Sequence, residues 1–179
     1  MPRFVAFLRA INVGGHVVTM DALRTHFEAL GFTGVETFIA SGNVVFSSRT
    51  KNLTTLERTI EKRLHASLGY EVKTFVRSCV EVAAIAGYQP FAASAMKKAG
   101  SLNVGFLAAP LDAAAMKALT ALKTDIDDFH VNGREVYWIC KVGQSGSTMS
   151  NVRFEKMVKV GVTFRGMNTI ARLAAKHSA

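Results

Sequence analysis

The chain has 179 residues, 49% hydrophobic and 20% charged, which excludes a disordered protein and suits one domain or two small ones. It has no secretion-signal pattern and no apolar run near the ~20 residues of a membrane-spanning helix, so we expect a soluble cytoplasmic protein. It has only two cysteines, so we expect neither a disulfide framework nor a thiolate metal site. The formal charge is +9, and residues 141–179 hold seven Lys or Arg against one acid, so we expect either a polyanionic partner such as nucleic acid or a merely solubilising surface.

The first 88 residues predict the element order β, α, β, β, α, β, α. Phe4–Leu8 is a continuous apolar run, typical of a strand that is buried on both faces and central in its sheet. Thr19 is expected to cap an amphipathic helix that ends at Gly31, and residues 41–43 are expected to turn a hairpin. The remaining predicted elements are strands at 35–40, 44–48 and 70–76, a helix at 53–68 that stops at Gly69, and a short helix from its cap Ser78 to Ala86.

Residues 89–101 are predicted to connect this half to a second one. Its predicted elements are a strand at 102–108, a helix at 113–122 capped by Asp112, a hairpin of strands 129–131 and 135–140 across Asn132 and Gly133, a helix from its cap Ser150 to Lys159, a short strand at 162–165 and a helix at 168–176. The same order therefore occurs twice, with little identity between the halves. This predicts an α+β fold of two ferredoxin-like βαββαβ units, at 1–88 and 102–179, each with an antiparallel sheet and helices on one face.

Five motifs along the chain resemble those of one known family. They are FLRAINVGG at 7–15, TFIASGNVVFSS at 37–48, QPF at 89–91, NVGFL at 103–107 and TFRGMNTIARLA at 163–174. Together they are similar to the DUF1697 family of bacterial proteins of unknown function. The resemblance implies a duplicated ferredoxin-like fold and no established activity. Arg165 and Asn168, which lie within the last motif, are further ligand-binding candidates. Family members usually have Gly in place of Ala10, and Asn and Trp in place of Gly166 and Met167, so any ligand contact of those last two side chains is altered or lost here.

The loop after the first strand is the first candidate site. A phosphate loop needs a pattern such as GxxxxGK[ST] or GxGxxG, and neither occurs around Gly14 and Gly15, so we favour a bend in which glycines supply positive φ. An anion site remains the alternative because Arg9 and Asn12 lie at the end of the strand, where Arg9 could bind an anion as a fork. The hairpin turn is likewise explained by turn chemistry, with ligand binding as the alternative. The candidate residues at this end of the chain are Arg9, Asn12, Gly14, Gly15, Ser41, Gly42 and Asn43.

The second candidate is a basic patch towards the C-terminal end. With the loop cleft, it favours binding of a phosphate-rich or other anionic ligand, possibly nucleic acid. Two alternatives remain open: an enzyme acting on a small anionic metabolite polarised by Arg9, Asn12 and Asn43, and a protein-interaction module without a small ligand. No cofactor or metal is predicted, since the five His lack ligand spacing. The predicted patch comprises Arg153, Lys156, Lys159, Arg172 and Lys176.

Three further features are expected to be structural. The loop at 143–147, GQSGS, lacks the second glycine of a nucleophile elbow and is interpreted as a flexible linker. Cys140 follows an apolar strand and is expected in the core rather than at a reactive site. Asp125, Asp127 and Asp128 are interpreted as a solvated turn rather than a cation site.

Overall fold

The computed structural model describes residues 1–9, 11, 17–39 and 42–177, and within these ranges it contains eight strands and seven α-helices. The strands are β1 Arg3–Leu8, β2 Thr33–Thr37, β3 Asn43–Ser47, β4 Thr74–Ser78, β5 Ser101–Phe106, β6 Asp127–Asn132, β7 Glu135–Cys140 and β8 Thr163–Gly166. The helices are α1 Met20–Glu28, α2 Leu53–Leu68, α3 Cys79–Gly87, α4 Ala93–Lys97, α5 Ala113–Thr120, α6 Asn151–Val158 and α7 Met167–His177.

The first four strands form an antiparallel sheet in the order β2-β3-β1-β4. β1 lies between β3 and β4, and all of its residues except the first are buried, which confirms the prediction of a central strand. Side chains alternate between the two faces of a strand, so Ala6 and Leu8 share one face. That face packs against α1 and α2, which contribute Leu23, Phe27 and Ile60 to the core.

The last four strands form a second antiparallel sheet in the order β6-β7-β5-β8. Its core receives Leu119 from α5 and Phe154 from α6. The central strand β5 carries Gly105, where a Cβ would come within 2.8 Å of both Phe164 and Val162. A larger residue at this position would therefore displace the side chains that cover the strand.

Both sheets have the strand order and connections of a ferredoxin-like unit, which confirms the predicted α+β fold with a duplicated βαββαβ unit. By their internal contacts the residues group into a first unit, Met1–Ala84 with Leu173–Ala179, and a second unit, Ile85–Arg172. The helix α7 is therefore divided between the two units.

The duplication extends to one side-chain detail. In the first unit Val5 of the central strand pairs with Arg77 of β4, and in the second unit Val104 pairs with Arg165 of β8. In both cases the arginine Nη1 donates at 3.0 Å to the carbonyl oxygen of the preceding residue. Arg77 is fully buried and Arg165 half-buried. Equivalent positions in the two sheets thus carry an arginine that makes the same hydrogen bond to the backbone.

The predicted helix caps are confirmed. The hydroxyl oxygen of Thr19 accepts from the N–H of Ala22 at 3.1 Å, and Asp112 and Ser150 accept from the backbone of α5 and α6 in the same way. At the start of α3 the contacts are reciprocal: the N–H of Glu81 donates to Ser78 Oγ, and the N–H of Ser78 donates to Glu81 Oε2. This is a capping box, which satisfies two otherwise unpaired donors.

Two of the structural interpretations are wrong. The loop interpreted as a flexible linker contains a 3₁₀ turn at Gln144–Gly146, and Ser147 Oγ donates to Asp127 Oδ2 at 2.7 Å. Asp127 is only 3% exposed and belongs to β6, so it is not part of a solvated turn. Both misreadings have one cause, since the hydrogen bond that orders the loop joins residues far apart in the chain. The predicted connector also differs from a plain loop, because it contains the short helix α4.

The outer edge of β4 is covered by carboxylates. The N–H groups of Thr74 and Val76 donate to Glu61 Oε1 at 2.9 Å and to Glu57 Oε1 at 3.0 Å, both from α2. The N–H of Ser78 donates to the capping carboxylate of α3 at 2.7 Å. Unpaired N–H groups on an edge strand invite pairing with another chain, so these bonds close this edge to strand addition.

Within the ranges that the structure describes, no helix combines the length and apolar character needed to cross a membrane.

Candidate anion-binding surface

Part of the predicted loop site falls beyond what the structure describes. Asn12, Gly14, Gly15 and Ser41 are outside the described residues, whereas Arg9, Gly42 and Asn43 are within them.

Arg9 continues the central strand by one residue. Its N–H donates to the carbonyl oxygen of Lys73 at 2.9 Å, which extends the β1–β4 ladder past Leu8. Phe7 pairs with Asn43 across β3, and alternation along the strand places Arg9 on the same face as this pair. Arg9 and Asn43 thus share one face of the first sheet, and Arg9 is half-buried.

Asn43 is engaged inside the hairpin. Its side chain is fully buried, and Nδ2 donates to the carbonyl oxygen of Phe38 at 3.0 Å. The backbone N–H of Phe38 donates in turn to the carbonyl oxygen of Asn43 at 2.9 Å. The amide therefore holds the two arms of the turn together.

Gly42 is required by the turn for two reasons. Its φ is +81°, in the left-handed region that favours glycine, and a Cβ would come 2.6 Å from Ile11 Cγ2. Its carbonyl oxygen accepts from the N–H of Leu8 at 2.9 Å, so the turn lies directly against the end of β1. Both observations favour the turn interpretation of this residue.

The basic residues of α6 lie on its exposed side. Arg153, Lys156 and Lys159 are all exposed, and Phe154 and Val158 fill the buried side. At 100° per residue the three cations occupy an arc of about 120° on the helix surface. Within the described part of the chain, none of the three makes an ion pair.

The other predicted basic residues are placed differently. Lys176 forms an ion pair with Glu36, and its ammonium group lies 5.7 Å from the centre of the Phe38 ring. Arg165 Nη1 donates to Thr163 Oγ1 at 2.8 Å, and burial lowers the pKa of its guanidinium to about 10, so it remains a cation at neutral pH. Asn168 and Arg172 are exposed one turn apart on α7.

A charged groove of about 330 Å³ lies beside Lys73 in the first unit. Glu61 forms an ion pair there with Lys73 at 3.7 Å. Because the groove mixes both signs of charge, it favours an anion less than the face of α6 does. Its lining consists of Arg58, Glu61, Lys62, His65, Glu71, Val72 and Lys73.

The sequence reasoning missed a buried polar cluster in the second unit. Asp127 Oδ1 accepts from the indole N–H of Trp138 at 2.8 Å, while Oδ2 accepts from Ser147. Cys140 is fully buried beside this carboxylate, and burial raises the pKa of its thiol, so its predicted place in the core is confirmed. A signal was present: Asp127 shares the alternation of Phe129 and Val131, which pack against the core. Among the described residues, no three His, Cys, Asp or Glu side chains are grouped as metal ligands would be.

Comparisons with known proteins identify a family and a fold. The model of the family described as "Protein of unknown function (DUF1697)" matches residues 1–137. Among solved structures, the conserved bacterial protein SP0830 from Streptococcus pneumoniae is similar, with a TM-score of 0.77 and 20% identity, over 100% of this chain and 99% of that chain. At this identity the similarity establishes the fold alone. A search of curated proteins gives no match.

Proposed function

We propose that this chain, which belongs to the DUF1697 family, binds a phosphate-rich polyanion, nucleic acid above all, along the exposed face of α6. The function of that family is unknown, so the activity has to be inferred from the side chains of this chain. The observation that carries the proposal is the set of three exposed cations on this face, Arg153, Lys156 and Lys159, without ion-pair partners among the described residues. Phosphate contacts by such residues supply most non-specific affinity for nucleic acid.

The spacing of the three cations suits an extended anion. They are separated by three residues each, so their Cα atoms extend about 9 Å along the helix axis. Long, flexible side chains at this spacing can reach several phosphates of one strand. Val152 lies within the same arc and Met157 borders it; the two side chains are 70% and 44% exposed and offer apolar contact to sugars or bases.

The end of α6 gives a second line of support. Lys159 is the C-cap and has a φ of +67°, a conformation in which glycine costs less than any other residue. A lysine at this position costs backbone free energy relative to glycine, which is consistent with a role for its ammonium group.

The N-terminal loop is proposed as a further contact. Arg9 and the loop residues Asn12, Gly14, Gly15 and Ser41 would bind a phosphate from the end of β1. The enzyme alternative receives less support, because the Asn43 amide, which would polarise a substrate, donates within the hairpin.

The test is binding of labelled single-stranded RNA, single-stranded DNA and duplex DNA at about 50 mM and about 200 mM salt. We expect the affinity of the wild type to fall steeply with salt. The combined variant Arg153→Gln, Lys156→Gln, Lys159→Gln should bind at least tenfold more weakly at low salt, and its salt slope for single strands should decrease by about 2. Arg9→Ala is measured alongside, and further weakening would assign a contact to the loop.

A charge-matched control separates the α6 face from overall charge. Lys51→Gln, Lys97→Gln, Lys117→Gln removes three exposed lysines that lie elsewhere in the chain. Equal loss of binding in both combined variants would leave only a diffuse charge effect and would overturn the assignment to α6. Absence of binding at low salt would overturn the proposal itself.

A further inference from the structure

We propose that the second unit also binds a free amino acid with an apolar side chain, in a pocket bounded by α4, β6 and β7. The pocket has a volume of about 380 Å³, within the range of small-molecule sites. Three segments of the chain line it, and none of them includes a residue of α6. This site is therefore separate from the proposed polyanion surface.

The floor of the pocket is apolar. Ile139 of β7 is 7% exposed, and both Ile126, which precedes β6, and Phe91 from the connector are half-buried. Phe91 meets the ring of His130 edge to face, with ring centres 6.2 Å apart, and His130 Nε2 is 2.7 Å from the hydroxyl oxygen of Tyr88. An alkyl or aryl group on this floor would leave water and contact a surface that is already ordered, which favours binding. The floor therefore selects a ligand with an apolar body.

The charges around this floor are balanced, because three lysines and three aspartates line the pocket. These residues are Lys98, Lys123, Lys141, Asp125, Asp127 and Asp128. Asp127 counts as a full negative charge, since the groups that donate to it, the indole N–H of Trp138 and the hydroxyl of Ser147, are themselves uncharged. A lining without net charge gives no net attraction to an anion or to a cation. It therefore favours a ligand whose own net charge is zero.

The two signs of charge come from different sides of the pocket. In the sheet, β7 lies between β6 and β5. The residue that precedes β5 donates its N–H to the carbonyl oxygen of Cys140 at 2.8 Å, and on the other side Lys141 donates its N–H to the carbonyl oxygen of Ile126 at 2.9 Å. The segments that carry Lys98 and Asp125 thus flank the end of β7, where neighbouring strands are about 4.8 Å apart. A lysine stands on one side, an aspartate on the other, and Lys141 between them.

These three charged groups are available to a ligand. Lys98, Lys141 and Asp125 are exposed and make no ion pair within the described residues, whereas Lys123 is 3.5 Å from Asp128. An α-amino acid carries both charges on one carbon atom, so its carboxylate can face the two lysines while its ammonium group faces Asp125. A fatty acid or an alkyl amine would leave one sign of the rim without a partner. The geometry therefore points to a zwitterion above an apolar side chain.

The experiment follows backbone amide resonances of the isotope-labelled full chain while L-leucine is added. The comparison probes are 4-methylpentanoate and 3-methylbutylamine, which each lack one charge of leucine, and glycine, which lacks the side chain. We expect leucine to shift the amides of residues 95–98, 124–128 and 139–141, and to bind about three- to tenfold more tightly than either singly charged analogue. Glycine should bind more weakly than leucine by about tenfold or more, because it cannot cover the floor.

Two variants should change which probe binds best. The variant Lys98→Gln, Lys141→Gln leaves a negative lining, so 3-methylbutylamine should bind more tightly than leucine. The variant Asp125→Asn leaves a positive lining, so 4-methylpentanoate should bind more tightly than leucine. Both variants change only exposed side chains, and their amide spectra report whether they are folded. Unchanged affinities for all three probes in both variants would overturn the proposal.

Two control variants test whether the effect belongs to this pocket. Lys117→Gln removes an exposed lysine of α5, and the combined Gln variant of α6 alters the other surface; both should bind leucine like the wild type. Loss of leucine binding in either control would overturn the proposal. Amide shifts spread over the whole surface, or a leucine affinity no higher than that of both singly charged analogues, would do the same.

Discussion

Two glycines at the ends of elements in the first unit have the same backbone conformation and different surroundings. Gly42 and Gly69 have φ values of +81° and +82°. A Cβ at Gly42 would collide with Ile11, whereas a Cβ at Gly69 would meet nothing within 4 Å. Gly87, in α3, has neither a positive φ nor a close neighbour. Alanine substitutions at these three positions therefore distinguish the cost of backbone strain from the cost of steric conflict.

We expect Gly42→Ala to reduce the free energy of unfolding by about 2 to 4 kcal/mol, because strain and overpacking add. Gly69→Ala should cost about 1 kcal/mol from strain alone, and Gly87→Ala should be neutral or slightly stabilising. Urea unfolding followed by circular dichroism measures all three. Similar losses for the variants at 42 and 69 would show that Ile11 yields to the methyl group.

Asp127 supports its unit through two buried hydrogen bonds. We expect Asp127→Ala to cost about 2 to 4 kcal/mol, because it leaves the Trp138 indole N–H and the Ser147 hydroxyl without their acceptor. Asp127→Asn keeps one acceptor and should cost about half as much. Trp138 is the sole tryptophan, so its fluorescence during urea unfolding reports on this site. A loss below about 0.5 kcal/mol in the alanine variant would contradict the structural role.

Whether the sequence predicts the role of a single residue depends on how far along the chain its hydrogen-bond partners lie. Caps such as Thr19 and Ser150 were predictable because their acceptors serve donors three residues away. The roles of Asp127 and Arg165 were not, because residue type gives charge but not burial. The predicted basic patch was affected in the same way: Lys176 contributes a charge to the count, yet its ammonium group is paired with Glu36.

At the scale of elements, helices were predicted more accurately than strands. The predicted bounds of α2 coincide with the observed helix, since its apolar spacing and Gly69 are local signals. β4 was expected at 70–76 and lies at Thr74–Ser78, because its register is set by pairing with β1, where Phe4 faces Ser78. β6 is longer than predicted for the same reason, since Asp127 pairs with Cys140.

The carboxylates on the edge of β4 lead to a prediction about self-association. Glu57→Ala with Glu61→Ala should cost about 1 to 2 kcal/mol per removed acceptor and expose two edge N–H groups. We expect concentration-dependent oligomers by light scattering in size-exclusion chromatography. Glu57→Gln with Glu61→Gln retains acceptors and Glu71→Ala removes an exposed carboxylate, so both should behave like the wild type. A monomeric double alanine variant would show that something else protects this edge.

At the scale of the whole molecule, the duplication was predictable from element order alone, because each half repeats the same succession of local signals. The equivalence of Arg77 and Arg165 was not, because it depends on the registers of two separate sheets. The candidate site was predictable only in part: the α6 cations follow helical periodicity, whereas the charged groove beside Lys73 joins residues from two separate segments.

Three groups with shifted pKa values, His177, His26 and Glu36, contribute to the pH dependence of the stability of the whole molecule. Burial lowers the pKa of His177 below 6.5, with Glu36 opposing and Arg3 and Lys176 assisting. The folded chain thus binds this proton less readily than the unfolded chain, so stability falls as pH drops through 6.5. His26 has the same sign from burial and Arg63. Glu36, with a pKa lowered first by its bond to Lys176, adds a further loss below 4.5.

We therefore expect the urea midpoint to fall between about pH 7.5 and about pH 5.5. The decrease should be smaller in His177→Phe, which keeps a ring beside Phe38 without a titratable group. Circular dichroism is the suitable probe, because Trp138 belongs to the other unit. An identical decrease in wild type and variant would assign the effect to His26, and His26→Gln would test that assignment.

The division of α7 between the units has a consequence for synthesis on the ribosome. All four strands of the first sheet have been translated once Ser78 is made, and those of the second once Gly166 is made. Leu173–Ala179 nevertheless belong to the first unit, so that unit receives its final residues only after every strand of the second is in place. A nascent chain halted at Arg172 would carry both sheets but would lack the Lys176–Glu36 ion pair and the His177 ring beside Phe38. The first unit is therefore completed only after the second sheet has been made.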